Sequence, residues 1–283
     1  MIKQNKGKDL KNIPESKLSN GPYYVSCKYD GHYIQIQYHQ DRVFMSTSGG
    51  KAFYLHKLAE YIKEHFTEPF HIECEYLYGC EGKLGDRGKS ARLTTYRTNY
   101  AKGIRTDGDS TKDRFVVLDM IDEAPIFKNR LSKLQEMFED HEWFHIPKQE
   151  LVGTLATAKE IASRYVNEGF EGAMLKAPDH IYQPGKRVNN IVKIKPRLTA
   201  DLLCVDVMEG TGKYEGMVGA LLLEDTIGRL VSAGSGLSDY QRSLPPEYYV
   251  GKVVEIEYER IDDTYIQPII KGIRDDKTAD QID

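Results

Sequence analysis

Pro196-Arg197-Leu198-Thr199-Ala200 separates two stretches of chain whose apolar residues repeat in different ways, and the fold is read from that difference. After it, short apolar runs follow at Leu202–Met208, Val218–Leu223, Leu230–Ala233, Val253–Tyr258 and Ile266–Ile273, with glycine-rich turns between them. No helical spacing is visible in that stretch. Five short strands in about 85 residues predict a small β-barrel of the OB type. Before the junction, Tyr33–Tyr38 and His71–Leu77 alternate with period two and predict half-buried strands. Leu55, Leu58, Tyr61, Ile62 and Phe66 recur at three- and four-residue steps, as do Leu131, Leu134, Met137 and Phe138, and each set predicts an amphipathic helix. A third helix is predicted to open at the capping box Thr157-Ala158-Lys159-Glu160 and to stop at Gly169. Strands and helices interleaved in this order predict an α+β domain over residues 1–198, followed by the barrel domain over residues 199–283.

Composition narrows the class. The 283 residues are 40% hydrophobic and 29% charged, a globular balance with ample material for a core. Nothing approaches eighteen consecutive apolar residues, so no membrane partner is expected. The polar amino terminus shows no secretory leader, which predicts a cytoplasmic protein. Cysteines at 27, 74, 80 and 204 make no CxxC pair, so neither a disulfide framework nor a structural zinc is expected. A net charge of −4 gives no whole-chain argument for nucleic acid. Local charge differs: residues 83–114 hold nine basic residues against four aspartates, and residues 183–200 hold five basic residues and no acidic one. Two phosphate-loop lookalikes fail. Gly212-Lys213 has Val207 where the loop needs glycine, and Gly88-Lys89-Ser90 has Lys83 there.

The most informative signal is a series of short elements in fixed order. Lys28-Tyr29-Asp30-Gly31 follows the apolar strand Tyr23–Cys27, and Glu75 lies on the strand at 71–77. Glu171-Gly172-Ala173-Met174-Leu175-Lys176 follows the third helix, Lys193-Ile194-Lys195 ends another strand, and Arg274-Asp275-Asp276-Lys277 lies near the carboxyl end. In this order they resemble the covalent nucleotidyltransferases, most closely the minimal ATP-dependent DNA ligases of bacteriophages and bacteria. The resemblance spans roughly residues 21–277 and implies a nucleotidyltransferase (adenylation) domain joined to an OB-fold domain.

The resemblance also implies roles. Lys28 is the nucleophile that takes AMP from ATP, with Asp30, Lys193 and Lys195 assisting, and with Ser26, Cys27, Glu75, Lys176, Arg274 and Lys277 among the ATP-binding groups. Glu75 and Glu171 hold Mg²⁺, for which Mn²⁺ can substitute, and contact the nucleotide sugar. A solvated lysine is neutral about once in 2,500 at pH 7, roughly 4.6 kcal/mol against attack. Neighbouring cations such as Lys193 and Lys195 lower that barrier, and alternation on a strand puts both on one face. Glu73 shares a strand face with Glu75, as Glu255, Glu257 and Glu259 share one in the barrel, where a solvated face is expected. The partner implied is nicked duplex DNA, bound by a monomer mainly through its phosphates. Arg87, Lys89, Arg92 and Arg97 from the first basic run, with Lys186 and Arg187 from the second, are the expected contacts. The sequence departs from the family at Tyr33, Thr47 and Ile269, where arginines are usual, and at Leu118, where an adenine-stacking aromatic is usual. Alternatives left open are an RNA ligase, an mRNA-capping guanylyltransferase, and a non-catalytic OB-fold nucleic-acid-binding protein.

Overall fold

A computed structural model describes residues 2–18, 21–78, 94–95, 97–98, 101, 112–121, 126–261 and 263–283. Two compact units result, Met1–Lys195 and Pro196–Asp283, in an α+β chain. No helix among the described residues is long and apolar enough to cross a membrane.

In the first unit the strands are β1 (Lys6–Asp9), β2 (Tyr23–Cys27), β3 (His32–His39), β4 (Arg42–Thr47) and β5 (Phe70–Tyr78). They continue as β6 (Asp113–Met120), β7 (Phe144–His145), β8 (Glu150–Val152), β9 (Ala173–Lys176) and β10 (Arg187–Ile194). The described helices are α1 (His56–His65), α2 (Phe127–Phe138) and α3 (Leu155–Asn167). Two five-stranded sheets form, in the orders β1-β10-β9-β2-β8 and β4-β3-β5-β6-β7. Alternation assigns their faces. Ile34, Ile36 and Tyr38 of β3 turn toward α1 and α2, packing with Leu58, Ile62, Leu134 and Phe138. Tyr23, Val25 and Cys27 of β2 join Ala158, Ile161 and Tyr165 of α3 in a second core. The opposite faces carry the polar residues discussed below.

Helix α3 begins two residues before the predicted start, because Thr154 and not Thr157 caps it: the Thr157 N–H donates to Thr154 Oγ1 at 3.2 Å. Gly169 follows the helix at φ +93°, where a side chain is disfavoured.

The second unit contains β11 (Leu198–Glu209), β12 (Val218–Glu224), β13 (Leu230–Ala233), β14 (Val253–Tyr258), β15 (Arg260–Ile261), β16 (Tyr265–Ile266) and β17 (Ile269–Ile273). Five of these make an all-antiparallel sheet ordered β13-β12-β11-β14-β17, and β15 pairs with β16. One helical turn, Asp239–Arg242, interrupts the all-strand expectation. Its Arg242 is buried and donates to the carbonyls of Val218, Gly219 and Gly234 at 3.0, 2.7 and 2.5 Å. That contact fixes the glycine-rich turns around β12 in place. The glutamates of β14 do not form the bare solvated face expected. Glu257 pairs with Lys271 at 3.1 Å and Glu255 lies 4.0 Å from Arg274, both half-buried.

Candidate active site

A cavity of about 370 Å³ in the first unit is lined by both of its sheets. From one sheet come Ser26, Met174 and Lys193, which stand in register on β2, β9 and β10, so a single row of side chains faces the cavity. Lys176 and Ile191 form the next row. From the other sheet come Tyr33, Glu73, Glu75, Leu118 and Asp119.

Lys28 follows β2 directly and is fixed by backbone bonds on both sides: its N–H donates to Gly172 O at 2.8 Å, and its carbonyl accepts from Glu171 N at 3.1 Å. Gly172 is required there, since at φ +141° a Cβ would stand 2.1 Å from Ile194 O. This close approach brings three charges together. Lys28 Nζ and Lys195 Nζ both pair with the Glu171 carboxylate. Burial raises the Glu171 pKa, but Lys28 and Lys195 overcome it and hold the group below its ordinary value. Lys193 is shifted down chiefly by burial, against an upward pull from Asp9, with the positive charges of Lys28, Arg187 and Lys195 adding to the fall.

Glu75 Oε1 accepts from Gly31 N at 3.0 Å. Burial raises its pKa to about 7, in spite of Lys28 and that N–H, with Asp30 and Glu171 adding to the rise. Asp30 is itself buried. Lys176 donates to Asp119 Oδ2 at 2.9 Å and to Leu118 O at 2.6 Å, and stands 4.4 Å from the Phe127 ring centre. Arg130, fully buried, donates from Nε to Asp119 Oδ1 at 2.8 Å.

Glu73 is deeper than the sequence suggested. Its Oε1 accepts from Tyr33 Oη at 2.5 Å and from Tyr182 Oη, and burial raises its pKa to about 7. The folded protein therefore keeps a proton between pH 4.5 and about 7 that the unfolded chain releases, so stability falls as pH rises through that window. In the metal-free protein, Glu73→Gln is expected to flatten the decline by up to about 1 kcal/mol per pH unit, read from urea midpoints between pH 5 and 7. An unchanged slope would count against the buried acid.

The predicted residues separate into those that meet and those that do not. Ser26, Cys27, Lys28, Glu75, Lys176 and Lys193 line one cavity, with Glu171 and Lys195 joined to Lys28 at its side. Arg187, expected on a duplex-binding surface, lines that cavity as well, whereas Lys186 is exposed outside its lining. Arg97 requires correction. It is fully buried and its Nη2 pairs with Asp113 at 2.8 Å, so it cannot offer its charge to a duplex. Arg87, Lys89 and Arg92 lie outside the described residues. Arg274 and Lys277 both pair with Asp201 inside the second unit, Arg274 at 3.2 Å and Lys277 at 2.5 Å. Among the positions that depart from the family, Tyr33 is engaged with Glu73, Thr47 Oγ1 accepts from Lys51 N at 3.2 Å, and Leu118 lines the cavity with Met174. Missed by the sequence reading were Asp119, Arg130 and Tyr182, for which no local motif signals a role.

Among the described residues no group of three or more His, Cys, Asp or Glu side chains is placed to hold a metal. Magnesium needs only one or two carboxylates when phosphates and water complete its shell, and Glu75 and Glu171 are close enough to perturb one another. The donor set fits a metal shared with a nucleotide.

Lys28 thus lines a cavity of about 370 Å³ and shares the Glu171 carboxylate with a second amine, Lys195. A family model described as ATP dependent DNA ligase domain matches residues 7–195, and one described as DNA ligase OB-like domain matches residues 209–266. The chain belongs to the ATP-dependent DNA ligase family, with an adenylation domain followed by an OB-like domain. The DNA ligase of Enterobacteria phage T4 is 30% identical over 171 residues, covering 53% of this chain and 34% of the phage protein. DNA ligase 2 of Methanosarcina acetivorans is 31% identical over 238 residues, covering 77% of this chain and 41% of that one. The chain thus spans about a third to two fifths of the length of these relatives. Among solved structures, a Lig E DNA ligase matches with TM-score 0.65 at 21% identity, over 96% of this chain and 98% of that one. A Chlorella virus DNA ligase-adenylate matches with TM-score 0.54 at 17% identity, over 98% and 100%. At such identities the likeness concerns the fold.

Proposed function

We propose that the protein is an ATP-dependent DNA ligase that seals 3′-hydroxyl/5′-phosphate nicks in duplex DNA, as in replication and repair. The observation that carries this reading is the Lys28–Glu171–Lys195 cluster beside the cavity. Lys28 Nζ, having lost a proton, attacks the α-phosphorus of ATP: an N–P bond forms and the bond to pyrophosphate breaks. Lys193 and Lys195 stabilise charge on the α-phosphate. Glu171 pairs with Lys28 and Lys195 and sets the amine's position. Asp30 orients the turn that carries Lys28. Glu75 and Glu171 would hold Mg²⁺ or Mn²⁺, which supplies charge neutralisation to the phosphates. Ser26, Met174, Leu118 and Lys176 line the space for the nucleoside. Arg274 and Lys277 are assigned to pyrophosphate handling by their motif alone.

In the second step a 5′-phosphate oxygen of the nick attacks the AMP phosphorus and the N–P bond breaks. In the third the 3′-hydroxyl oxygen attacks the 5′-phosphorus and AMP leaves. Duplex contact is assigned to phosphates, with Arg87, Lys89, Arg92 and Lys186 as basic candidates.

The test is incubation with the divalent metal and α-labelled ATP or GTP, followed by nicked DNA or nicked RNA. Protein labelled by ATP, and discharged on nicked DNA with sealing, is the expected result. Labelling by GTP alone, discharge on RNA alone, or no label at all would each overturn the reading.

A further inference from the structure

The segment Arg274–Lys277 follows β17 directly, and its two cations meet at one carboxylate in the second unit. That carboxylate is Asp201, which no sequence motif signals. Along β11, Ala200, Leu202 and Cys204 alternate into the core, so Asp201 stands on the opposite face, where a carboxylate is ordinarily solvated. Asp201 is only 7% exposed. Glu255 of β14 is its ladder partner, and β17 lies on the far side of β14. From there Arg274 reaches across: its Nη1 donates to the two Asp201 oxygens at 3.3 and 3.2 Å and lies 4.0 Å from Glu255. Lys277 Nζ donates to Asp201 Oδ2 at 2.5 Å, and Asp201 is its only ion-pair partner among the described residues. The Asp201 backbone is fixed apart from its side chain. Its N–H donates to Asp283 Oδ2 at 2.6 Å, and its carbonyl accepts from Asp283 N at 2.9 Å.

Asp276 holds the outer side of the guanidinium, with Arg274 Nε and Nη2 donating to its two oxygens at 2.8 and 2.7 Å. Asp276 is exposed, so water and salt screen that pair, whereas the pair with buried Asp201 is screened much less. Left to themselves, arginine and lysine side chains sample many rotamers, and an anion must order them as it arrives. Asp201 orders both beforehand. It does not exhaust their donors: Nη1 and Nη2 each keep one N–H, and Lys277 Nζ keeps two.

We propose that Asp201 is a positioning residue for the first step of the reaction, holding Arg274 and Lys277 as a paired cation for the pyrophosphate leaving group. This role rests on the ligase reading. It belongs to one step only, because neither AMP transfer to the nick nor strand closure releases pyrophosphate. A carboxylate that instead held the two cations back from phosphate would have the opposite effect on the rate.

The experiment compares wild type, Asp201→Asn, which removes the charge at constant size and spares the backbone bonds to Asp283, and the charge-keeping Asp201→Glu. One assay follows the rate and KM of charging by α-labelled ATP. The other follows sealing of nicked DNA that already carries AMP on its 5′-phosphate. Asp201→Asn is expected to lower the maximal charging rate at least about tenfold, with KM for ATP and the sealing rate each changed less than about threefold. Asp201→Glu should recover part of the loss. Equal losses in the two assays mark a merely structural role and overturn the proposal, as does a charging rate that is unchanged or faster in Asp201→Asn. A wild type that takes no label from ATP overturns the ligase reading instead. Side-chain NMR relaxation at Lys277 then decides Asp201 by itself: greater mobility in Asp201→Asn than in wild type supports positioning, and equal mobility overturns it.

Discussion

Lys28→Ala is expected to abolish covalent labelling by ATP, a loss of at least about a thousandfold, while the protein stays folded. The side chain does two separable things. Its ammonium pairs with Glu171, and in the proposed reaction its neutral amine is the nucleophile. Removing it leaves Glu171 still paired with Lys195, so no carboxylate is stranded in a dry site and the structural cost is small. Lys28→Arg separates the two roles further. Guanidinium can keep the ion pair with Glu171 but does not lose its proton near neutral pH, so it too is expected to take no label. Both variants are compared with wild type by circular dichroism and urea unfolding. Label retained by either would remove Lys28 from the chemistry, and another amine would have to be found by mapping the labelled peptide. With pre-adenylylated nicked DNA as substrate, the Lys28→Ala protein should recover sealing, since the last step needs no protein nucleophile.

The second large effect is on stability. Asp119→Ala is expected to lower the unfolding free energy by about 3–5 kcal/mol, a large part of the 5–15 kcal/mol typical of a domain. Asp119 is nearly inaccessible and serves two cations at once: Arg130, itself fully buried, and Lys176 in the cavity wall. Deleting the carboxylate removes the ion pair of a fully buried guanidinium, whose Nη1 also donates to the His180 carbonyl at 3.1 Å. Burial raises the Asp119 pKa, but Lys176 and Arg130 together hold it below the ordinary carboxylate value. Paired replacement of Asp119 and Arg130 by apolar residues should cost less than Asp119→Ala alone, because the buried guanidinium is then removed together with its carboxylate. A loss under about 1 kcal/mol in denaturant midpoints would show that the network contributes little.

Much of the architecture is legible before any coordinates because it follows from periodicity. The alternation at Tyr33–Tyr38 and His71–Leu77 became β3 and β5, and the loss of helical spacing after Pro196 marked the all-strand character of the second unit, apart from one turn. Capping was read three residues late because Thr154 and Thr157 offer the same hydroxyl chemistry, and Leu155, which the earlier cap brings into the helix, packs against the core. Charge was the least reliable guide. Arg97 belongs to a run of basic residues, yet it points inward to Asp113, since sign and spacing say nothing about which way a side chain faces. Arg187 belongs to another run and lines the cavity because β1, 180 residues away in sequence at Gly7, closes against β10. Long-range pairings of this kind leave no local trace. The same holds for Glu73 and Tyr182, whose contact joins residues that no window compares.

Cys27 immediately precedes Lys28, is almost inaccessible, and has its pKa raised chiefly by burial. The sulfur therefore stays in the thiol form at neutral pH, and it is the thiolate that peroxides and alkylating agents attack. This sulfur is thus shielded from oxidative damage by its own packing, and electrophiles aimed at it would gain little from its position beside Lys28.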